Sequence, residues 1–421
     1  MNFLKKTFFL TGSELNKKVF LLFIVIALTT IIELISLGSI IPLIKGLVEN
    51  NQKNFIYDIL FNFDFVNEDN ILNYLFLLIL ILFIFKYITN LYFIYLKAKI
   101  IILIREVLSL KFFKTYLNKD LSFFGEKNTS ELLRNCDQEI VVFTRCWNAI
   151  ITLTLEIIIV ILILILIIFV QPLITLVPFV LLFLFSLIFV KLSKNFLTKI
   201  GAKRFDLQAL KIKYLVEGFG SVREIKVNQN ISYFVKSFKI TLSKLLKITK
   251  IKMILNEVIR PTFEFLVVAA IISNALILNY LEYDWEQTLS IIIIYGLASV
   301  RILPAFNKIV QNVSNLIFNA PAVHKLYKEL NDNDHQSNFN RIISEKINFN
   351  KKLKLSKLSF GYDKRNQILS NLNISFNKGD IVGITGESGT GKSSLLDIIS
   401  GLIVPNSGEI LVDDNIVSLN N

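Results

Sequence analysis

Residues 386–394 read GESGTGKSS, from Gly386 to Ser394. The spacing is G-x-x-x-x-G-K-[ST], with Gly386, Gly391, Lys392 and Ser393 at the fixed positions. Ahead of it, Ile381–Thr385 is an apolar run that predicts a strand. Behind it, Ser393–Ser400 predicts a helix, ended by Gly401 and barred from continuing by Pro405. A strand, a glycine-rich turn and a helix form the setting of a phosphate loop. Gly386, Gly389 and Gly391 allow backbone shapes that turn amides toward phosphate oxygens, with Glu387, Ser388, Thr390 and Ser394 completing the cradle. Lys392 is placed to reach the terminal phosphates of ATP, and the Ser393 hydroxyl to ligate Mg²⁺.

Outward from the loop, Leu353–Phe360 alternates apolar and polar residues and Ile374–Phe376 is a second short strand. Residues 353–421 therefore read as α/β. Residues 331–352 are polar and Asn-rich and read as a linker. Residues 1–330 are of another kind. The chain has 53% hydrophobic residues, 19% charged residues and a formal net charge of +13. Its mean hydropathy is +0.57, too apolar for an ordinary soluble protein. The basic residues lie between long apolar runs and form no single patch, which argues against nucleic acid and for a polytopic membrane protein.

Six runs approach or exceed the ~20 residues that a bilayer core requires. They are Val19–Ile44, Ile71–Leu96, Ile150–Val170, Leu173–Val190, Thr262–Leu281 and Leu289–Val310. Gln171-Pro172 makes a tight turn between the third and fourth, and Tyr283 and Trp285 suit an interfacial anchor between the fifth and sixth. Lys5, Lys6, Lys17 and Lys18 precede the first run. The connections after the second and fourth are basic, including Lys97, Arg105 and Arg134 in one and Lys203, Arg204 and Lys213 in the other. The alternate loops are acidic, with Glu49, Asp58, Asp64, Glu68 and Asp69, then Glu282, Asp284 and Glu286. Both termini are expected on the cytoplasmic side.

The two basic connections keep a helical apolar spacing, as at Leu192, Phe196 and Ile200, and read as continuations of the spans. Each has one break, Ser122–Gly125 and Gly218–Ser221. Cys136 and Cys146 fit packing residues and set no disulfide framework, and His324 and His335 are too few for a His-rich metal site. Met1–Lys18 does not read as a cleavable signal.

Leu358 to Asp414 resembles the start of an ABC-transporter nucleotide-binding domain. By that resemblance Tyr362 stacks on adenine, Gly386–Ser394 is Walker A, and SGEILVDD is the strand after the loop helix. The six-run domain is similar to the type IV, exporter-type fold. The resemblance implies coupling helices at the two breaks, a second half-transporter as partner (a homodimer in the simplest case) and ATP with Mg²⁺ as cofactors. The family's downstream groups are a glutamine loop, an LSGGQ-type signature, Walker B with its glutamate, and a switch histidine. None is found up to Asn421, so no catalytic residue is assigned, and the chain reads as a fragment of a longer protein. A genuine terminus would fit a non-transporting membrane protein with a vestigial loop.

Ile31–Ile44 and Arg301–Val310 look like segments of bacterial inner-membrane flippases for lipid-linked oligosaccharides. Charged residues inside spans are costly and usually line a cavity. Lys86, Arg260 and Arg301 would suit a diphosphate headgroup whose lipid tails stay in the bilayer. The same residues allow another reading, in which Lys86 snorkels and the arginines pair with Glu264 or other carboxylates. Other lipids or peptides are the alternative cargoes.

Overall fold

The computed structural model describes residues 3–40, 71–119, 121–170, 172–280, 285–334, 349–361, 367–413 and 415–416. Tyr283, Tyr362, Gln171, the acidic residues of 41–70, Glu282, Asp284 and linker residues 335–348 lie outside them. The chain divides into two compact units, Met1–Leu110 with Arg134–Tyr327, and Lys111–Leu133 with Lys328–Asn421.

The helices are α1 (Phe3–Thr11), α2 (Ser13–Gly38), α3 (Ile71–Leu117), α4 (Leu121–Glu126), α5 (Thr129–Cys136), α6 (Gln138–Val170), α7 (Pro172–Gly220), α8 (Val222–Val227), α9 (Ile231–Tyr280) and α10 (Trp285–Asp334). Five stretches of the described residues are helical, long and apolar enough to cross a membrane: Leu15–Gly38, Asn73–Leu117, Thr129–Leu166, Phe179–Gly220 and Ile231–Ile277. The sixth expected run, Leu289–Val310, lies inside α10. Four helices run far past a bilayer's thickness, because the apolar spacing continues beyond each span without a breaker. The first expected break, Ser122–Gly125, is the short helix α4, whereas the second, Gly218–Ser221, is the end of α7 and the turn that leads into α8. The start of the expected linker is helical, since α10 persists to Asp334.

In the first unit, α6, α7, α9 and α10 share one apolar core. Ile159, Val160 and Ile163 pack with Leu182, Ile259, Phe263, Val267, Ile302, Ala305, Phe306 and Val310. Phe263 organises it, edge-on to Phe185 at 5.4 Å and tilted to Phe306 at 5.9 Å. Further along, Leu197, Ile200, Leu207, Leu245, Ile248 and Phe318 form a second core. There α7 and α10 meet backbone to backbone. A Cβ on Gly201 would lie 2.0 Å from the Phe318 carbonyl oxygen, so only glycine fits. Nearby, Phe205 receives two cations, the Arg134 guanidinium at 3.7 Å and the Lys325 ammonium at 4.3 Å. The α1 helix is held by an edge contact of Phe8 with buried Trp147 at 5.0 Å, and by Lys6 Nζ donating to His324 Nδ1 at 2.8 Å. By contrast α3 buries a narrow stripe, including Ile100, Ile104 and Leu108 at four-residue spacing, and exposes Leu80, Ile84 and Ile88.

In the second unit, β1 (Lys352–Phe360), β2 (Leu369–Asn377), β3 (Ser407–Val412) and β4 (Asn415–Ile416) form an antiparallel sheet in the order β2-β1-β3-β4. Leu355 and Leu358 are both fully buried, although an odd spacing puts residues of a regular strand on opposite faces. A bulge at Lys357, whose φ is 49°, resets the alternation. The sheet packs on α11 (Lys392–Ile399) through Leu395 and Ile398. Asp413 ties the start of β1 to the end of β3. Its carboxylate accepts backbone N–H bonds from Asn350, Lys351 and Lys352 at 2.6, 2.7 and 2.9 Å.

One expected element is absent. Ile381–Thr385 is not a strand. Ile381 is fully exposed and Val382 half exposed, and no described strand lies beside them. An extended segment without a neighbour has no ladder to hold it, however suitable its side chains.

Two outcomes follow from this packing. Gly201→Val is expected to destabilise the protein by about 1–3 kcal/mol, seen as a lower thermal midpoint in lipid nanodiscs. Gly220→Ala, which meets nothing within 4 Å, is the neutral control. Asp413→Ala is expected to speed hydrogen exchange at Asn350–Lys352 by about tenfold. The Asn350 amide bond leads the causes that hold the Asp413 carboxyl below its ordinary value of 3.8. Its stabilisation is therefore full above pH 3.8 and is lost as the pH falls through the lower folded value, so wild type should approach the variant's exchange rate only in strong acid.

Candidate functional site

The phosphate loop is built locally. Gly389 and Gly391 hold φ of 87° and 89°, left-handed values that other residues resist. Gly391 caps α11, its carbonyl accepting from the Leu395 amide at 2.9 Å. A Cβ there would also lie 2.5 Å from the Ile368 Cγ2 methyl. The Lys392 ammonium curls back over the loop and donates to the carbonyls of Gly386 at 2.8 Å and Glu387 at 2.5 Å. Thr390 Oγ1 donates to the Glu387 carbonyl at 2.9 Å. Glu387, Ser388, Gly389, Thr390 and Ser393 are exposed, while Ser394 turns inward and is buried. An exposed glycine turn, a lysine folded over it and the start of a helix together form a donor set for a polyphosphate. The residues fit ATP, and the exposed Ser393 hydroxyl in the first turn of α11 is of the type that holds Mg²⁺.

The second feature lies among the spans. Glu33 of α2 is buried and receives Arg301 of α10 through two bonds, Nε to Oε1 at 2.6 Å and a terminal nitrogen to Oε2 at 3.2 Å. Lys86 of α3 reaches the same carboxylate at 3.3 Å. The other guanidinium nitrogen of Arg301 meets Glu156 of α6 at 3.2 Å, and Lys308 donates to Glu156 at 2.7 Å. Glu156 is 1% exposed. Lys86 and Arg301 are thus brought together on one carboxylate. Arg260 stands apart, its side chain 69% exposed and paired with Glu264 one turn on at 2.8 Å.

Lys308 was not singled out from the sequence, although it lies two turns from Arg301 on the same face of α10, a signal that spacing alone offers. Glu33 and Glu156 are charges inside the first and third apolar runs. Their role as joint hubs of four helices has no local signal, because the pairs link residues 268 and 152 positions apart.

Residues 19–282 match the family model described as ABC transporter transmembrane region, and residues 369–420 match the one described as ABC transporter. Curated relatives include the nickel import system ATP-binding protein NikE of Staphylococcus aureus strains MSSA476 and USA300, each 45% identical over 65 residues. That match covers 15% of this chain, and the chain spans 28% of those relatives' length. Among solved structures, a bacterial Atm1-family ABC exporter with ATP bound has a TM-score of 0.67 at 12% identity. The similarity covers 96% of this chain and 68% of that one. The chain belongs to the ABC transporter family, as a multi-pass membrane protein whose exporter-type helical region is followed by part of an ATP-binding domain.

Proposed function

We propose that this chain is one half of an ATP-driven exporter of the bacterial inner membrane, and that its cargo is an anionic amphiphile, specifically a polyprenyl-pyrophosphate-linked oligosaccharide. The observation that carries the reading is the convergence of Lys86 and Arg301 on one buried carboxylate among the spans, in a chain that also bears a phosphate loop. Cations kept at such depth are costly, and a diphosphate matches both the fork of Arg and the point charge of Lys. Arg260 is exposed and paired with Glu264, outside that cluster of charges. In this reading it joins the cavity from a surface that a second copy completes.

The basic connections put both termini and the nucleotide segment in the cytoplasm. Tyr362 stacks the adenine. Lys392 exchanges its two loop carbonyls for phosphate oxygens, and residues 386–394 supply backbone donors to the same phosphates. The Ser393 hydroxyl holds Mg²⁺. Bound ATP supplies the free energy, released by the whole protein as two nucleotide domains close on it. The short helices α4 and α8 pass that closure to the spans. Two features support their role. Residues 111–133, which include α4, fall in the same compact unit as the nucleotide segment, with Lys127 and Glu329 at 3.9 Å. Around α8 the exposed Phe219 and Val227 are 77% and 76% accessible, an apolar tip suited to a second copy.

Gly391→Ala forces a left-handed alanine and displaces Ile368. It is expected to weaken binding of a fluorescent ATP analogue by about tenfold. Replacing Lys86, Arg260 and Arg301 together by Gln is expected to abolish flipping of a pyrophosphate-linked glycan in reconstituted vesicles of the full-length protein, with ATP binding retained. Unchanged flipping would dismiss the cargo assignment.

A further inference from the structure

The intramembrane charges do not balance. Among the described residues, Lys86, Arg301 and Lys308 share two carboxylates, Glu33 and Glu156. A fourth cation, Lys97 of α3, donates to the Thr152 hydroxyl at 3.4 Å, and Thr152 lies one turn before Glu156 on α6, the carboxylate that Lys308 holds. Three cations on two anions leave one positive charge in excess, and Lys97 adds a second at the cytoplasmic edge. Such an excess in a low-dielectric region is unfavourable until an anion joins it.

The arrangement is also directional. Lys97 and Lys308 lie at the cytoplasmic ends of the second and sixth expected spans. Lys86 is eleven residues deeper on α3, about 16 Å along the helix, and Arg301 is seven residues deeper on α10, about 10 Å. Lys308 is half exposed, whereas Arg301 is 20% exposed. The cations therefore form a ladder from an accessible outer rung to a covered inner one. Glu156 sits between the rungs, hydrogen-bonded to Lys308 on one side and within ion-pair distance of Arg301 on the other.

From this ladder we infer that Lys97 and Lys308 form the first docking station for the anionic headgroup of a lipid, and that Glu156 is an internal stand-in for that headgroup. The inference rests on the anionic-cargo reading above. A phosphate arriving there meets Lys97, whose hydrogen bond goes to a hydroxyl, and Lys308, the most exposed of the four cations. To advance, it displaces the Glu156 carboxylate from Lys308 and then competes with it for Arg301. Glu156 keeps Lys308 and Arg301 paired between cargoes and sets how tightly a headgroup must bind to pass. The ligand class is a phosphate or pyrophosphate on an apolar chain, held through charge-assisted hydrogen bonds.

The test is equilibrium binding to the chain in phosphatidylcholine nanodiscs. The probes are geranylgeranyl pyrophosphate, geranylgeraniol and inorganic pyrophosphate. The double substitution Lys97→Gln/Lys308→Gln is expected to weaken the lipid pyrophosphate by about tenfold and leave the alcohol unchanged. Lys97→Arg/Lys308→Arg should restore it. Glu156→Gln should tighten it about fivefold, because it releases two cations. Wild-type affinity in the double Gln variant overturns the docking station. If Arg301→Gln still weakens binding in that case, the anionic cargo stands without it; if it does not, both readings fall. Weaker binding by a folded Glu156→Gln protein overturns the stand-in role. Equal affinity for inorganic pyrophosphate and its lipid form overturns the lipid assignment.

Discussion

The bidentate bond between Arg301 and Glu33 is the contact on which the membrane region depends. A charge among apolar helices must be paired, since the alternatives are water that the bilayer does not supply or a group left bare. Breaking a buried pair by removing one partner typically costs about 3–5 kcal/mol. Here one guanidinium serves two carboxylates, so α2, α6 and α10 share it, and Lys86 brings in α3. Apolar packing alone would let helices slide, because dispersion between smooth aliphatic surfaces has many near-equal registers. The ion pairs select one register. The core around Phe263 and Phe306 then closes on it.

The nucleotide segment follows another logic. Its loop is held by contacts within a few residues: two left-handed glycines, a lysine folded onto carbonyls five and six positions back, and a helix cap. The small sheet that supports α11 is likewise tied by near neighbours and by the carboxylate of Asp413. Such elements form wherever their own residues are present. The spans instead need partners hundreds of residues away.

That contrast explains what the sequence discloses. Span positions, the two breaks, β1 and the loop helix are legible because each is a local pattern of periodicity, glycine placement or length. Ile381–Thr385 has the composition of a strand, but composition cannot supply the neighbour that a strand needs. The cations at Lys86 and Arg301 stand out as costly charges in apolar runs. Their pairing is invisible, since nothing local distinguishes Glu33 from Glu156 or Glu264 as a partner. Arg260 shows the same limit. It shares the sequence signature of the other two, yet its own helix supplies a carboxylate one turn away and leaves it at the surface.

The central claim is that buried pairing, and not the individual charges, organises the spans. A double-mutant cycle on thermal unfolding in nanodiscs, with Glu33→Gln, Arg301→Gln and both together, tests it most directly. Each single change leaves the surviving group with only its weaker partner, Glu156 for Arg301 or Lys86 for Glu33, whereas the double change removes both members of the bidentate pair. The double variant should lose clearly less stability than the sum of the two singles. Strict additivity would contradict it.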